Sequence, residues 1–417
     1  MTTDNWRRLH VAALLLLALL AFSCPTSGNL AAVSVSNERF ALRLATNLGL
    51  SQPSGNVAVS PLLLQSALAL LYAGVAADAA VAQQLRVALE LQHLGTAEQA
   101  LRQFEQVIAQ LKQSAAIGCK LRLLSEFYTA QRYTFNYRDE FVARAAALGI
   151  GVQRLDFGNV AGVAQTINYE FLTRSNFSVG ELVTSSLLHA TTGSDTPLLH
   201  ASALTFRAPW AQGFDPRQTQ RIKFFSDRQS HKLVDAMFVQ HSFRYAELPS
   251  LDACLIELPY ATADLSLLII YPNRVEGLAQ LESQLQSLDL QQLRQELSVR
   301  KLALTLPKFT LLAHTELQLL QLRFIHLQLG LGKLFTTEAQ LHNVFSSLLA
   351  SSMPHLTAVP HTALLELQEA GGVVERTFVA AFTDLFRSTL SLVINHPFFY
   401  ALGNGKTLLL AGHVVDI

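Results

Sequence analysis

LLELQEAGGVVERTFVAAFTDLFRSTLSLVINHPFF, from Leu364 to Phe399, decides how the rest of this chain is read. Leu364–Gln368 alternates apolar and polar residues and predicts a strand. Glu369-Ala370-Gly371-Gly372 predicts a change of direction, because glycine takes positive φ at no steric cost. From Val373 to Ile394 neither glycine nor proline interrupts the chain. A connection of about twenty residues is long for a compact domain, and such loops are mostly functional or disordered. Asn395-His396-Pro397 closes it, and an apolar strand resumes at Phe398.

Outward from this stretch, LLLAGHVVDI (Leu408 to Ile417) reads as a buried final strand after the turn Gly403-Asn404-Gly405. Upstream, Lys120 to Ala130 reads as another strand. Amphipathic spacing predicts helices over Glu38 to Leu48, Ala80 to Leu91, Glu98 to Leu111 and Asn136 to Leu148. NVAVSPLLLQSALALLYAG (Asn56 to Gly74) predicts a short strand, then a helix capped by Ser60 with Pro61 in its first turn. That helix is apolar all round and therefore buried.

Several of these stretches occur in an order that resembles the serpin family. Asn56 to Gly74 is similar to the family's Asn-x-x-x-Ser-Pro signature. Val152 to Phe157 is similar to its strand ending in Asp-Phe, and Ile167-Asn168 to the opening of an Ile-Asn helix, with Glu170 and Phe171 as departures and Phe177 where glycine is usual. SALTFRAPWAQGFDPRQTQRIKFF (Ser202 to Phe225) keeps Trp210, Phe214, Asp215, Pro216 and Thr219, with Ser202 in place of Asn and Ala208 in place of Gly. Ala253 to Asn273 resembles the Leu-Pro-Tyr strand pair, Leu302 to Leu311 the Leu-Pro-Lys-Phe strand, and Leu329 to Phe335 a helix end. In the opening stretch, Glu369, Gly371, Ala380, Ala381, His396, Pro397, Phe398 and Phe399 fall in matching places.

The resemblance implies an α+β serpin fold: three β-sheets, eight or nine helices, and an exposed reactive-centre loop over about 371–392. It implies one domain over 33–417. It implies a suicide-substrate inhibitor of a serine protease, whose cut loop inserts into the main sheet as a new strand. Glu369, Gly371, Gly372, Val374, Glu375 and Arg376 form the hinge. By the family's usual spacing the scissile bond falls near Leu385-Phe386, which suits a chymotrypsin-like enzyme. A two-residue extension would move it to Arg387-Ser388, which suits a trypsin-like one.

The hinge departs from the small apolar residues that insertion favours. Strand side chains alternate between faces. One register turns Gly372, Val374, Arg376 and Phe378 inward, and the other turns Glu375 inward. Either register buries a charge, and an unpaired buried charge costs several kcal/mol. A second reading is therefore a non-inhibitory serpin: a cleavable decoy, a carrier or a binding protein.

Composition narrows the rest. Of 417 residues, 50% are hydrophobic and 15% charged, which excludes a disordered chain. Zero formal net charge gives no electrostatic reason to expect nucleic acid or an anionic membrane as partner, and a monomer is expected. Arg7-Arg8, the apolar run Val11 to Phe22 and the small-residue site Ala21-Phe22-Ser23 predict a cleaved secretory signal over 1–23, and hence a secreted, extracellular protein. The run is short for a membrane span. Asn176-Phe177-Ser178 is a glycosylation sequon. Cys119 and Cys254 are left open between a disulfide and buried thiols.

No enzyme is expected. HExxH and GxSxG are absent, Gly330-Leu331-Gly332 lacks the third glycine of a dinucleotide loop, and Tyr400 stands where a phosphate loop ending in Gly405-Lys406-Thr407 would need glycine. The scattered histidines read as structural, and neither a metal nor a cofactor is expected.

Overall fold

The computed structural model describes residues 26–76, 80–114, 119–131, 136–192, 197–261, 264–318, 329–346, 354–370 and 389–417. The expected signal over 1–23 lies outside them. Among the described residues there are nine α-helices. Helix α1 (Thr26–Ser51) extends well beyond the amphipathic segment expected at Glu38 to Leu48. After β1 (Val57–Val59), the Ser60 hydroxyl accepts from the Leu63 N–H at 3.4 Å and opens α2 (Pro61–Gly74). With leucine and alanine on every side, α2 is buried almost throughout.

Helices α3 (Ala80–Ala88), α4 (Ala97–Ser114) and α5 (Asp139–Ala147) follow their apolar periodicity. Helix α6 (Val160–Arg174) starts earlier than the sequence reading placed it: Ile167 and Asn168 lie at mid-helix, not at its opening. The true cap is Asn159, whose side-chain oxygen accepts from Gly162 N–H at 3.1 Å. Helices α7 (Ser185–Thr192), α8 (Leu278–Leu285) and α9 (Leu290–Gln295) complete the set. None of the described helices is long and apolar enough to cross a membrane.

Five strands form one sheet: β2 (Lys120–Ala130), β3 (Gly151–Leu155), β4 (Pro197–Arg207), β10 (Phe309–Gln318) and β11 (His355–Leu367), in the order β10-β11-β4-β2-β3. The other nine are β1, β5 (Gln220–Phe225), β6 (His231–Leu248), β7 (Ala253–Pro259), β8 (Ser266–Pro272), β9 (Ser298–Pro307), β12 (Leu390–Val393), β13 (Phe398–Gly403) and β14 (Leu408–Val414). They form a single hydrogen-bonded network because β6, 18 residues long, pairs with β5 at its start, with β9 from Ala236 to Tyr245 and with β7 at its end. Two of the three expected sheets are thus joined through one shared strand.

Two boundaries differ from the sequence reading. The strand expected at Leu302 to Leu311 is two, β9 and β10, split at Lys308, whose N–H turns to Asp235 O at 2.8 Å. The strand expected at Leu364–Gln368 is the end of β11, which begins at His355 and runs through Pro360. Proline in an interior strand removes a ladder donor, which is why HLTAVPHTA does not read as a strand.

The five-stranded sheet is covered on both faces. Leu199, Ala201 and Ala203 of β4 and Ala358 of β11 pack with Val163, Ile167 and Phe171 of α6 and Leu187 and Leu188 of α7. Leu198, Leu204 and Phe206 of β4 pack on the opposite side with α2 and the nine-stranded sheet. Each such large side chain contributes about 1.5–3 kcal/mol by leaving water. No disulfide joins Cys119 and Cys254. Burial pushes the Cys254 thiol up to about 11 and keeps it protonated.

Candidate functional site: the loop anchors and the seam beside them

The chain leaves the five-stranded sheet at the end of β11 and rejoins the nine-stranded one at β12. Glu369 is the one hinge residue of the sequence reading that is described. Gly371, Gly372, Val374, Glu375, Arg376, Ala380, Ala381, Leu385, Phe386, Arg387 and Ser388 lie outside the described residues.

The departure point is tethered by backbone as well as side chain. Trp210 N–H donates to Ala370 O at 3.0 Å, Phe214 N–H to Glu369 O at 3.2 Å, and the Trp210 indole N–H to Gln368 O at 2.7 Å. The indole is fixed in turn by stacking on Tyr260, with centroids 4.4 Å apart and planes 11° apart. The Glu369 carboxylate accepts from Thr219 Oγ1 at 2.9 Å and lies 2.9 Å from Lys308 Nζ. Burial pushes this carboxyl up, but the bonds from Lys308 and Thr219 outweigh it and hold it below the usual range, so it is ionised.

The far anchor is β12, which pairs in parallel with β9 from Leu390↔Leu302 to Val393↔Thr305. Past it, Ile394 N–H donates to Thr305 O at 2.9 Å and Phe225 N–H to Asn395 O at 2.8 Å. Tyr271 OH donates to Asn395 Oδ1 at 3.0 Å, and the Tyr271 ring stacks on His396 at 4.1 Å. The Asn395-His396-Pro397 punctuation in the sequence is therefore a packed anchor.

Between the two anchors, β11 has two unlike flanks. Its antiparallel ladder with β10 is unbroken from Phe309↔Leu367 to Gln318↔Ala358. Its parallel ladder with β4 runs from His355↔Pro197 to Ala358↔Leu199 with a register shift, lapses at Val359 and Pro360, and resumes from His361↔Ser202 to Leu365↔Phe206. Side chains hold this second flank. Thr357 Oγ1 donates to Leu198 O at 3.1 Å. The His361 ring crosses the seam to Ser202 Oγ at 2.8 Å and accepts from the N–H of Ser60, the α2 cap, at 2.9 Å. Because Nε2 accepts from Ser60, Nδ1 carries the hydrogen that Ser202 takes. His200, one face along, lies 2.8 Å from Ser125 Oγ. Burial pushes His361 down to about 3; burial and the neighbouring His361 push His200 down to about 3 as well. Both rings are neutral. The charged side chains on β4 and β11 are Arg207 and Glu366, which pair with each other at the hinge end.

Asn176 is exposed at the end of α6 in a left-handed turn, with φ of 57°, so its sequon is accessible. Among the described residues no group of His, Cys, Asp and Glu could hold a metal ion. Pro360 and His361 carry no mark in the sequence. Ser202, Trp210, Phe214, Thr219 and Lys308 stand out only as motif members and Ser60 also as a helix cap, and the fold alone brings them to the seam and the hinge.

Comparison with known proteins fits this architecture. The chain is 27% identical over 376 residues to serine protease inhibitor 42Dd of Drosophila melanogaster, covering 88% of this chain and 93% of that one. Cleaved Serpin 42Da, at 26% identity, superposes with a TM-score of 0.76 over 93% of this chain and 98% of its own. Human thyroxine-binding globulin, complexed with thyroxine, shares the fold at a TM-score of 0.78 over 93% of this chain and 99% of its own, with 18% identity. The family model described as serpin (serine protease inhibitor) matches residues 35–417, a span that takes in every strand of both sheets, and the chain therefore belongs to the serpin family.

Proposed function

We propose that this serpin is a secreted bait for serine proteases, acting as a suicide-substrate inhibitor through the reactive-centre loop over about 371–392. The observation that carries the reading is the parallel, interrupted β4–β11 seam beside the strand that feeds this segment. A cut loop folding back along β11 runs antiparallel to both walls. It replaces one parallel ladder with two antiparallel ones, which are the slightly stronger kind per residue. Trapping is then a race between this insertion and hydrolysis of the acyl-enzyme. The bait is Leu385-Phe386 for a chymotrypsin-like protease or Arg387-Ser388 for a trypsin-like one. Incubation with each enzyme, a denaturing gel and mass spectrometry of the fragments test it. Cleavage between 380 and 392 is expected; an uncut chain rejects an exposed bait.

A second reading, a serpin that is cut or binds a ligand without trapping, is favoured by Glu375 and Arg376. Apart from exposed Arg207 and half-buried His355, the described residues of both walls are buried, and either register of an inserting strand turns one of these charges toward the core. Thyroxine-binding globulin illustrates a binding role on the same fold. Stoichiometric SDS-stable complex from the natural chain removes this reading, and cleavage without complex even after Glu375→Ala with Arg376→Ala removes the first.

Export rests on Arg7-Arg8, the apolar run Val11 to Phe22 and the Ala21-Phe22-Ser23 site. The domain then occupies 33–417, with Asn176 accessible for a glycan. N-terminal sequencing of material recovered from medium is expected to start after about residue 23; a start at Met1 overturns it.

A further inference from the structure

We propose that Pro360 is a built-in parting point of the β4–β11 seam, dividing it into two short ladders that open separately. Pro360 has no N–H to give. Pairing lapses at Val359 and Pro360 on the β4 flank, while on the β10 flank Glu316↔Pro360 pairs without interruption. The missing donor therefore faces β4. Proline is normally confined to sheet edges or bulges, yet this one is buried in an interior strand. The register shift between Leu356 and Ala358 lies just below it, and the His361–Ser202 side-chain bond just above. The upper ladder, His361↔Ser202 to Leu365↔Phe206, lies next to the hinge and ends at the gap. A strand entering from the hinge has only that short ladder to displace before it meets backbone that is already unpaired. The device belongs to the uncut chain and acts whether or not a protease is trapped.

Residue-resolved hydrogen–deuterium exchange of the uncut protein tests it. In the natural chain, amides of His361 to Leu365 and Ser202 to Phe206 that face across the seam are expected to exchange faster than β11 amides facing β10. Pro360→Val restores the donor. One ladder bond corresponds to a several-fold to about tenfold slower opening of the seam, with the β10 flank unchanged. Pro360→Ala gives the same direction without the added side-chain bulk. Equal protection on both flanks of natural β11, or an unchanged seam in the variants, overturns the proposal. Should neither variant fold, the comparison of flanks in the natural chain still decides. Failure here leaves the bait reading intact, because that is read from covalent complex after cleavage.

Discussion

The two sides of β11 are made by the same residues and behave as different structures. Toward β10 every residue from Ala358 to Leu367 has a partner, and the antiparallel ladder is held mainly by backbone. Toward β4 the pairing is parallel, shifted at Leu356 and Ala358, and empty at Pro360; three side chains, Thr357, His361 and Ser202, bridge what the backbone does not. A backbone ladder is insensitive to which side chains sit on it. A seam closed by side chains depends on their chemistry, and so it can be opened by a change of charge or displaced by a competing strand. Strain-releasing switches need an element with two packings close in energy, and the second flank has the looser construction.

The strongest way to break this asymmetry is to change what enters the seam. Beside β4 and β11 an inserted hinge meets walls that are buried except at Arg207, and the charged residues on those walls, Arg207 and Glu366, are already paired with each other. Glu375 and Arg376 thus arrive together where a lone charge costs several kcal/mol. Every ~1.4 kcal/mol carried into the insertion barrier slows it about tenfold relative to hydrolysis of the acyl-enzyme. The natural chain is expected to be cut while giving little SDS-stable complex, and to gain little in melting temperature after cleavage. Glu375→Ala with Arg376→Ala should raise complex yield tenfold or more, or at least lift the melting temperature of the cut form clearly. A stoichiometric complex from the natural chain with a protease cutting near Leu385 to Arg387 would show that the charges find partners in the seam.

Much of this molecule is legible without coordinates, and the parts that are not share a cause. Ser60-Pro61, the apolar helix after them and the Asn395-His396-Pro397 anchor announce themselves because capping, burial and punctuation are local. The opening of α6 is hard to read from the sequence because a single Asn159 side chain sets it. β11 was cut short because Pro360 breaks a local rule, and the neighbouring strands that compensate come from 197–207 and 309–318. The Lys308–Glu369 contact and the Ser60–His361–Ser202 chain join residues far apart in sequence, so no spacing rule reaches them. Whether Cys119 and Cys254 meet is illegible in the sequence for the same reason.

Acid provides a smaller and more selective way to sharpen the contrast between the flanks. His200 and His361 lie on or beside the β4 flank, both pushed down to about 3 by burial, with their mutual proximity adding to the effect at His200. Their unfolded-state value is near 6.5. The unfolded chain therefore takes up protons below pH 6.5 that the folded chain refuses until about pH 3. Stability is full above pH 6.5 and is lost as the pH falls through that window, by about 2 kcal/mol per imidazole at pH 5. His396, pushed down to about 4 by burial, adds in the same direction at the far anchor. Glu38 opposes them: burial raises it to about 7 despite Arg294, so its contribution weakens as the pH rises through 4.5 to 7. His361→Gln separates these terms, because a glutamine oxygen can accept from Ser60 but cannot be protonated in this range. The variant should lose stability at pH 7.5 yet show a shallower loss between pH 6.5 and 5 in urea titrations. In the natural chain, protection factors at pH 5, corrected for the intrinsic pH dependence of amide exchange, should fall first at amides of Ser202 to Phe206 facing β11, with β11 amides facing β10 lagging. Parallel slopes for the two proteins would mean that His361 is not the proton acceptor that loosens the seam.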